Sequence, residues 1–312
     1  MSALPRAVSF DRIHQKFGDV VKQNVPLAPL TSARIGGPAD VFITIHSAEE
    51  LAKVADFLWA EDLVFVVLGG GSNVLISDAG VREVVLHNKA EAVRFDKKGN
   101  PPTVWAESGA NFGRIARQAA GHDLAGLAWA AGIPGTLGGA IIGNAGAHGS
   151  DISEVCPVAE ILHRINGRER WSNDRLGFAY RHSALKRQHG QAVVLNAVLE
   201  LEHSTEKVVR SEMAEFLEYR RRTQPPGASM GSMFKNPEGD YAGRLIDQAG
   251  LKGLRHGDAE ISTLHANFFI NHGEACAANV MSLIEQARQM VKEHSGIDLE
   301  MEIELIGDWT VS

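Results

Sequence analysis

Apolar residues recur along this chain with two periods, and the switches between them mark its elements. Residues 38–46 (PADVFITIH) are predicted as a strand. Ser47 with Glu50 then forms a capping-box signature, and Leu51, Val54, Ala55 and Leu58 follow at helical spacing. The apolar run at 64–68 (VFVVL) is a second strand that leads directly into GGGSN at 69–73. REVVLH and TVWAES are further strands, and 111–118 is a short helix. VAEILHRI and RERW flank Asn166 and Gly167, a dipeptide that signals a hairpin turn. VVLNAVLEL is another strand, and residues 206–222 form a helix that QPPGAS breaks.

The last third repeats the mixture. Residues 242–249 are predicted as a helix ended by Gly250, and NFFIN at 267–271 as a strand. Val280, Leu283, Ala287 and Val291 mark an amphipathic helix stopped by Gly296. LEMEIEL alternates, which predicts a strand with Leu299, Met301, Ile303 and Leu305 inward and Glu300, Glu302 and Glu304 sharing the outer face. Helices and strands mix without βαβ alternation throughout, so the expected class is α+β. A domain boundary is expected within 204–226.

Glycine density changes this picture. From Gly132 to Gly149 the chain reads GIPGTLGGAIIGNAGAHG, seven glycines in eighteen residues with no lysine or arginine. Glycine weakens helices and strands, so the run suits a backbone that turns tightly and is approached closely. An anion there would be held by backbone N–H groups rather than by charge. GGGSN lacks the Lys-Ser/Thr of a phosphate-binding P-loop, and Val74 stands where a Rossmann fingerprint needs its third glycine. Two such loops, each beside a strand, favour a dinucleotide whose pyrophosphate is held by N–H groups.

Composition narrows the function classes. The chain has 312 residues, 44% hydrophobic and 22% charged, as in ordinary globular proteins. A net charge of -7 argues against a nucleic-acid partner. The N-terminus has no signal-peptide core, and no apolar run is long enough to span a bilayer. The two cysteines, Cys156 and Cys276, suggest a reducing, cytoplasmic setting and buried small hydrophobes. Thirteen scattered histidines form no zinc motif, so no metal is expected.

The ordered motifs carry a resemblance. LGGGSNVLISD, then AGIPGTLGGA and NAGAHG, resemble the FAD-binding domain of the vanillyl-alcohol-oxidase (PCMH) type. With TSARIGGPAD, FAYRHSALK, GSMFKNP, GRLIDQAGLKG, HANFFIN and EIELIG, the chain resembles the UDP-N-acetylenolpyruvoylglucosamine reductase family, in its type II branch. That implies a two-part FAD-binding domain at 28–204, with parts at 28–93 and 94–204. An N-terminal helical segment at 1–27 precedes it, and a C-terminal α+β substrate-binding domain at 205–312 follows.

The resemblance implies the chemistry as well. NADPH reduces FAD, and the reduced flavin reduces an enolpyruvyl ether to a lactyl ether on a UDP-sugar. It implies Ser232 as proton donor, Arg181 facing the substrate carboxylate and Glu302 completing the site. Cofactor contacts fall on Gly69, Gly70, Gly71, Ser72, Asn73, Gly132, Ile133, Pro134, Gly135, Gly138, Gly139, Asn144, Gly146 and Gly149. Substrate contacts fall on Tyr180, Arg220, Gln224, Lys235, Asn236 and His265. Gly143 stands where the family more often has methionine, His148 where tyrosine is common, Met301 for a frequent proline and Glu304 for a basic residue. Without the family context, the residues alone favour Ser232 as a polar turn residue, Arg181 as an exposed strand-end cation and the three glutamates as a solvated face. Competing readings are a hydrolase, since residues 227–231 fit G-x-S-x-G, a flavin enzyme with another substrate, and a non-catalytic nucleotide binder.

Overall fold

The structure is a computed structural model describing residues 10–188 and 190–310. The first nine residues of the expected N-terminal helical segment lie outside the described residues; Phe10–Phe17 is helical. The chain divides into two compact units. One takes residues 1–22, 42–70 and 83–219, the other 23–41, 71–82 and 220–312. A four-stranded sheet runs in the order Val21–Pro26, Pro38–Ile45, Val81–Asn88, Phe65–Leu68.

In the first unit, Ser47 caps the helix Ala48–Ala60 by accepting from the Glu50 N–H at 3.1 Å, as the capping box predicted. Phe65–Leu68 pairs in parallel with the strand Val81–Asn88 and ends at the first glycine loop. The larger sheet is antiparallel, in the order Gly167–Ser172, Val158–His163, Ala192–Glu200, Thr103–Glu107, Val93–Asp96. Its first two strands form the hairpin expected at Asn166 and Gly167. The helix Phe112–Gly121 lays Phe112, Ile115, Ala116 and Ala119 into the core beside that sheet. Glu107, missed in the sequence, is 7% exposed and accepts from the N–H groups of Ala48 at 2.8 Å and Ala92 at 2.9 Å. Both oxygens of a buried carboxylate are thereby satisfied, and the helix start is fixed to the sheet.

Two groups here differ from expectation or add to it. Burial pushes the Cys156 thiol up to about 12, so it behaves as an inert apolar side chain. His87 is buried beside the Phe42 ring, and desolvation lowers its pKa below 6.5, helped by Lys89. Folding therefore disfavours its protonated form, whereas in the unfolded chain it protonates at its ordinary value near 6.5. Its contribution is nil above that pH, and stability is lost as the pH falls below it. His87→Leu should flatten the acid side of a plot of melting temperature against pH. An unchanged acid limb would show that other groups carry it.

In the second unit, the helix Ala277–Ser295 buries Val280, Leu283, Ala287 and Val291, the predicted stripe, and ends on Gly296 with φ 74°. Its core is shared with Met233, Phe234, Ile246, Ile261 and Leu75. Asp78 caps this helix from far along the chain, accepting from Ala277 N–H at 2.8 Å and Ala278 N–H at 2.9 Å. Asp78→Ala should cost about 1 kcal/mol, read as a lower urea midpoint at unchanged slope, with Asp78→Asn losing less; equal losses would argue against capping. Cys276 is only partly buried, a correction to its expected burial, because it lies at the helix start where its N–H donates to Asn279 Oδ1.

The LEMEIEL segment also departs from expectation. Only Glu304–Ile306 is regular strand, pairing in parallel with Val74–Ile76. Leu299 and Ile303 are buried, but Leu305 is 36% exposed. The chain changes partner midway. Met301 bridges Phe234, and Glu304 N–H donates to the Asn73 carbonyl. The alternation is therefore interrupted at the switch, where Glu300 is exposed, Glu302 and Glu304 are half-buried and Leu305 reaches solvent.

Candidate functional site

The two glycine loops meet within the first unit. A Cβ on Gly70 would lie 2.9 Å from Gly135 Cα, and one on Gly69 would lie 2.5 Å from Thr136 Oγ1. Only glycine permits this approach of backbone to backbone. Gly135 accepts at its carbonyl from Phe112 N–H, and Gly138 N–H donates to Ser108 O at 2.8 Å. The sharp turn is thus fixed before the helix Leu137–Ile142 begins. Gly139, in that helix, is different: a Cβ there would meet nothing nearer than Thr136 Oγ1 at 3.8 Å. The space beside Gly139 is open to a ligand and would be narrowed by any side chain. With no cation in the run, these loops fit the pyrophosphate of a dinucleotide held by N–H groups. Gly71, Ser72 and Asn73 belong to the second unit. Ile133 N–H is bonded to Ala130 O and packs against the first unit's core. Gly132 and Pro134 complete the loop between that core and Gly135.

The end of the glycine run is a hairpin. Gly146 pairs with Asp151 and Ala147 with Ser150, leaving His148 and Gly149 at the tip with φ 56° and 89°. Positive φ at both tip residues is the geometry of a type I′ turn, which explains Gly149 without a ligand. The His148 ring stacks on Phe216 at 4.3 Å, with Tyr219 edge-on at 5.5 Å. Asn144 is 2% exposed, and its side chain is used within the protein. It donates to Asp151 Oδ2 and Ala179 O, each at 3.1 Å, and accepts from Ser153 N–H at 3.1 Å.

Those bonds tie the glycine run to the turn carrying Arg181. Ala179 and His182 exchange two backbone hydrogen bonds of 3.0 Å, which places Tyr180 and Arg181 at a tight tip. Arg181 has φ 52°, a region that disfavours a residue with a side chain. Its guanidinium lies 5.3 Å from the Tyr180 ring centroid and donates to Gly146 O at 3.2 Å. Ser183 Oγ donates to Ile142 O at 2.8 Å, a third tie. The left-handed backbone and the contacts to Tyr180 and Gly146 mark this tip as an unusual, held conformation. Tyr180 is exposed beside it.

In the second unit, Ser232 lies in a short extended segment held on both sides. Ser232 bridges Phe268, and Met233 N–H donates to Asn267 O at 2.8 Å. Asn267, buried and missed in the sequence, reads both polar groups of Phe234, accepting from its N–H at 2.9 Å and donating to its carbonyl at 2.8 Å. On the opposite side, Lys235 N–H donates to Glu300 O and Glu302 N–H to Met233 O, both at 2.9 Å. The structure therefore brings Ser232 and Glu302 onto adjoining segments. Lys235 Nζ is paired with the Glu300 carboxylate.

The remaining candidates are also placed. Asn236 accepts from Ala242 N–H at 3.1 Å, at the start of the helix Ala242–Gln248. His265 packs over Gly243, where a Cβ would lie 3.0 Å from its Cε1, and burial lowers its pKa, disfavouring the charged ring. Arg220 is desolvated by burial, which lowers its pKa, and its carbonyl accepts from Gln224 N–H at 2.8 Å. The G-x-S-x-G stretch fails as a nucleophile elbow. Among the described residues no strand immediately precedes it, and the next helix starts only at Ala242. No helix of the described residues is long and apolar enough to cross a membrane, and no cluster of metal-ligating side chains occurs among them.

An FAD binding domain profile matches residues 39–167, and the profile of the UDP-N-acetylenolpyruvoylglucosamine reductase C-terminal domain matches 223–306. UDP-N-acetylenolpyruvoylglucosamine reductase of Chloroflexus aggregans is 40% identical over 291 residues, covering 92% of this chain and 97% of its own. That of Bacillus subtilis is 39% identical over 288 residues, 92% of this chain and 94% of its own. The crystal structure of the Thermus caldophilus reductase superposes with a TM-score of 0.77 at 35% identity, covering 92% of this chain and 98% of that one.

Proposed function

Because the chain belongs to the UDP-N-acetylenolpyruvoylglucosamine reductase family of FAD-dependent oxidoreductases, we propose that it reduces UDP-N-acetylglucosamine enolpyruvate to UDP-N-acetylmuramate. NADPH is the reductant, and the setting is cytoplasmic peptidoglycan-precursor synthesis. The observation that carries the reading is the hydrogen-bonded tract joining Ser232's segment to Glu302, in a chain that also holds a strained, tethered Arg181.

FAD would be held by Gly69, Gly70, Gly138, Gly139 and their neighbours, and when bound it supplies hydride to the terminal alkene carbon of the substrate. Hydride addition there leaves enolate character beside a carboxylate. The Arg181 guanidinium offers a planar pair of donors to that carboxylate and offsets the developing charge. Ser232 Oγ gives its proton to the adjacent carbon, a role that needs the nearby enolate because a serine hydroxyl is a weak acid. Glu302 completes the polar surroundings of that transfer. Tyr180, Arg220, Gln224, Lys235, Asn236 and His265 are assigned to the UDP and sugar. The segment 28–204 serves the flavin, and 205–312 the substrate.

Anaerobic stopped-flow absorbance tests the reading. NADPH should bleach the flavin, and the enolpyruvyl nucleotide should restore its colour. Bleaching without restored colour would mean a flavin enzyme with a different substrate.

A further inference from the structure

We propose that Asn73 is a positioning residue for Glu302, setting the carboxylate through its backbone rather than holding the flavin with its amide. The proposal rests on the role given to Glu302 above. Asn73 stands in the GGGSN loop, where the resemblance assigns it to the cofactor. Its side-chain Nδ2 instead donates to the Glu302 carbonyl oxygen at 3.1 Å. Its own carbonyl accepts from Glu304 N–H at 2.9 Å. Asn73 thus engages the backbone on both sides of Ile303.

The other polar group of the Glu302 backbone is also engaged, since its N–H donates to Met233 O at 2.9 Å. Glu302 is therefore held at its N–H by the residue after Ser232 and at its carbonyl by Asn73. This is the place where the chain leaves the Phe234 segment and begins its parallel pairing at Glu304 and Val74. A continuing strand would offer the Glu302 carbonyl a backbone donor from its neighbour. At the switch, the Asn73 amide takes that part. An aspartate would set a carboxylate oxygen against the carbonyl, and an alanine has no donor. The bond lies at the exposed surface of its unit, where water competes, so its value is geometric more than a matter of stability. Small misplacement of a catalytic group is costly even when the fold is intact.

The test uses Asn73→Ala and Asn73→Asp in the full-length flavoprotein. FAD stoichiometry, FAD affinity by fluorescence and the rate of flavin reduction by NADPH should match the parent. Reoxidation by the enolpyruvyl nucleotide should slow on the order of tenfold, in kcat more than in KM. In a Glu302→Gln background, either substitution should have no further effect, since the position it governs no longer carries the charge. Loss of FAD affinity in both variants would overturn the proposal in favour of a cofactor contact. Additive slowing in the double variants would overturn it too. If Glu302→Gln slows reoxidation but neither Asn73 variant does, only this proposal falls. If Glu302→Gln itself leaves reoxidation unchanged, the role of Glu302 falls and takes the proposal with it.

Discussion

Ser232→Ala is expected to slow flavin reoxidation by the enolpyruvyl nucleotide by roughly 10²- to 10⁴-fold, while NADPH bleaches the flavin at nearly the parent rate. The fold should not change. What fixes the segment is backbone and Asn267: the Met233 N–H to Asn267 O bond, the two bonds between Asn267 and Phe234, and the Phe268 bridge. None of these uses the Ser232 hydroxyl. The substitution removes one oxygen and leaves the buried Met233 and Phe234 in place. Ser232→Cys restores a proton donor of lower pKa and should recover part of the rate. Equal slowing of both half-reactions would instead assign Ser232 to the structure of the site.

The second large effect separates two kinds of glycine. Gly139→Ala should weaken FAD binding by roughly tenfold to a hundredfold, the size of about 1–3 kcal/mol of overpacking. The cofactor-free protein should hold its stability or gain slightly, because a methyl there has open space and alanine favours a helix interior. Gly70→Ala should behave oppositely. Its methyl would collide with Gly135 Cα at 2.9 Å, so stability and cofactor should be lost together. Titration of the flavin-free protein with FAD, alongside thermal melts, distinguishes them. A Gly139→Ala protein with parental FAD affinity would move the pyrophosphate away from that helix.

Local patterns were readable because their causes are local. Ser47 with Glu50, the dipeptide at Asn166 and Gly167, and the stripe from Val280 to Val291 all act within a few residues. They give the helix Ala48–Ala60, the hairpin and the helix Ala277–Ser295. The family motifs pointed to Ser232 and Glu302, and the structure sets those residues on adjoining segments. LEMEIEL misled because alternation describes one strand with one partner, and this stretch has two. Glu107, Asn267 and Asp78 escaped notice for a related reason. Each is a polar residue whose partner lies elsewhere in the sequence, 59 residues away for Glu107 and 199 for Asp78. No spacing rule registers such a bond. Asn144 and Gly149 show the converse, where residues assigned to a ligand by resemblance are engaged in the loop's own turn and hydrogen bonds.

The parallel pairing of Val74–Ile76 with Glu304–Ile306 has a consequence for the protein's birth on the ribosome. Ser77 and its partner Asp308 are 231 residues apart. At roughly 5–20 residues per second, the strand bearing Leu75 and Ile76, each at most 1% exposed in the finished fold, waits on the order of ten to fifty seconds for its mate. During that interval the nascent chain carries an unmatched apolar edge and the helix-capping Asp78 without its helix. Chaperone dependence should therefore be greatest late in translation, and variants that loosen this single pairing should show it first as aggregation during synthesis rather than as a lower melting temperature.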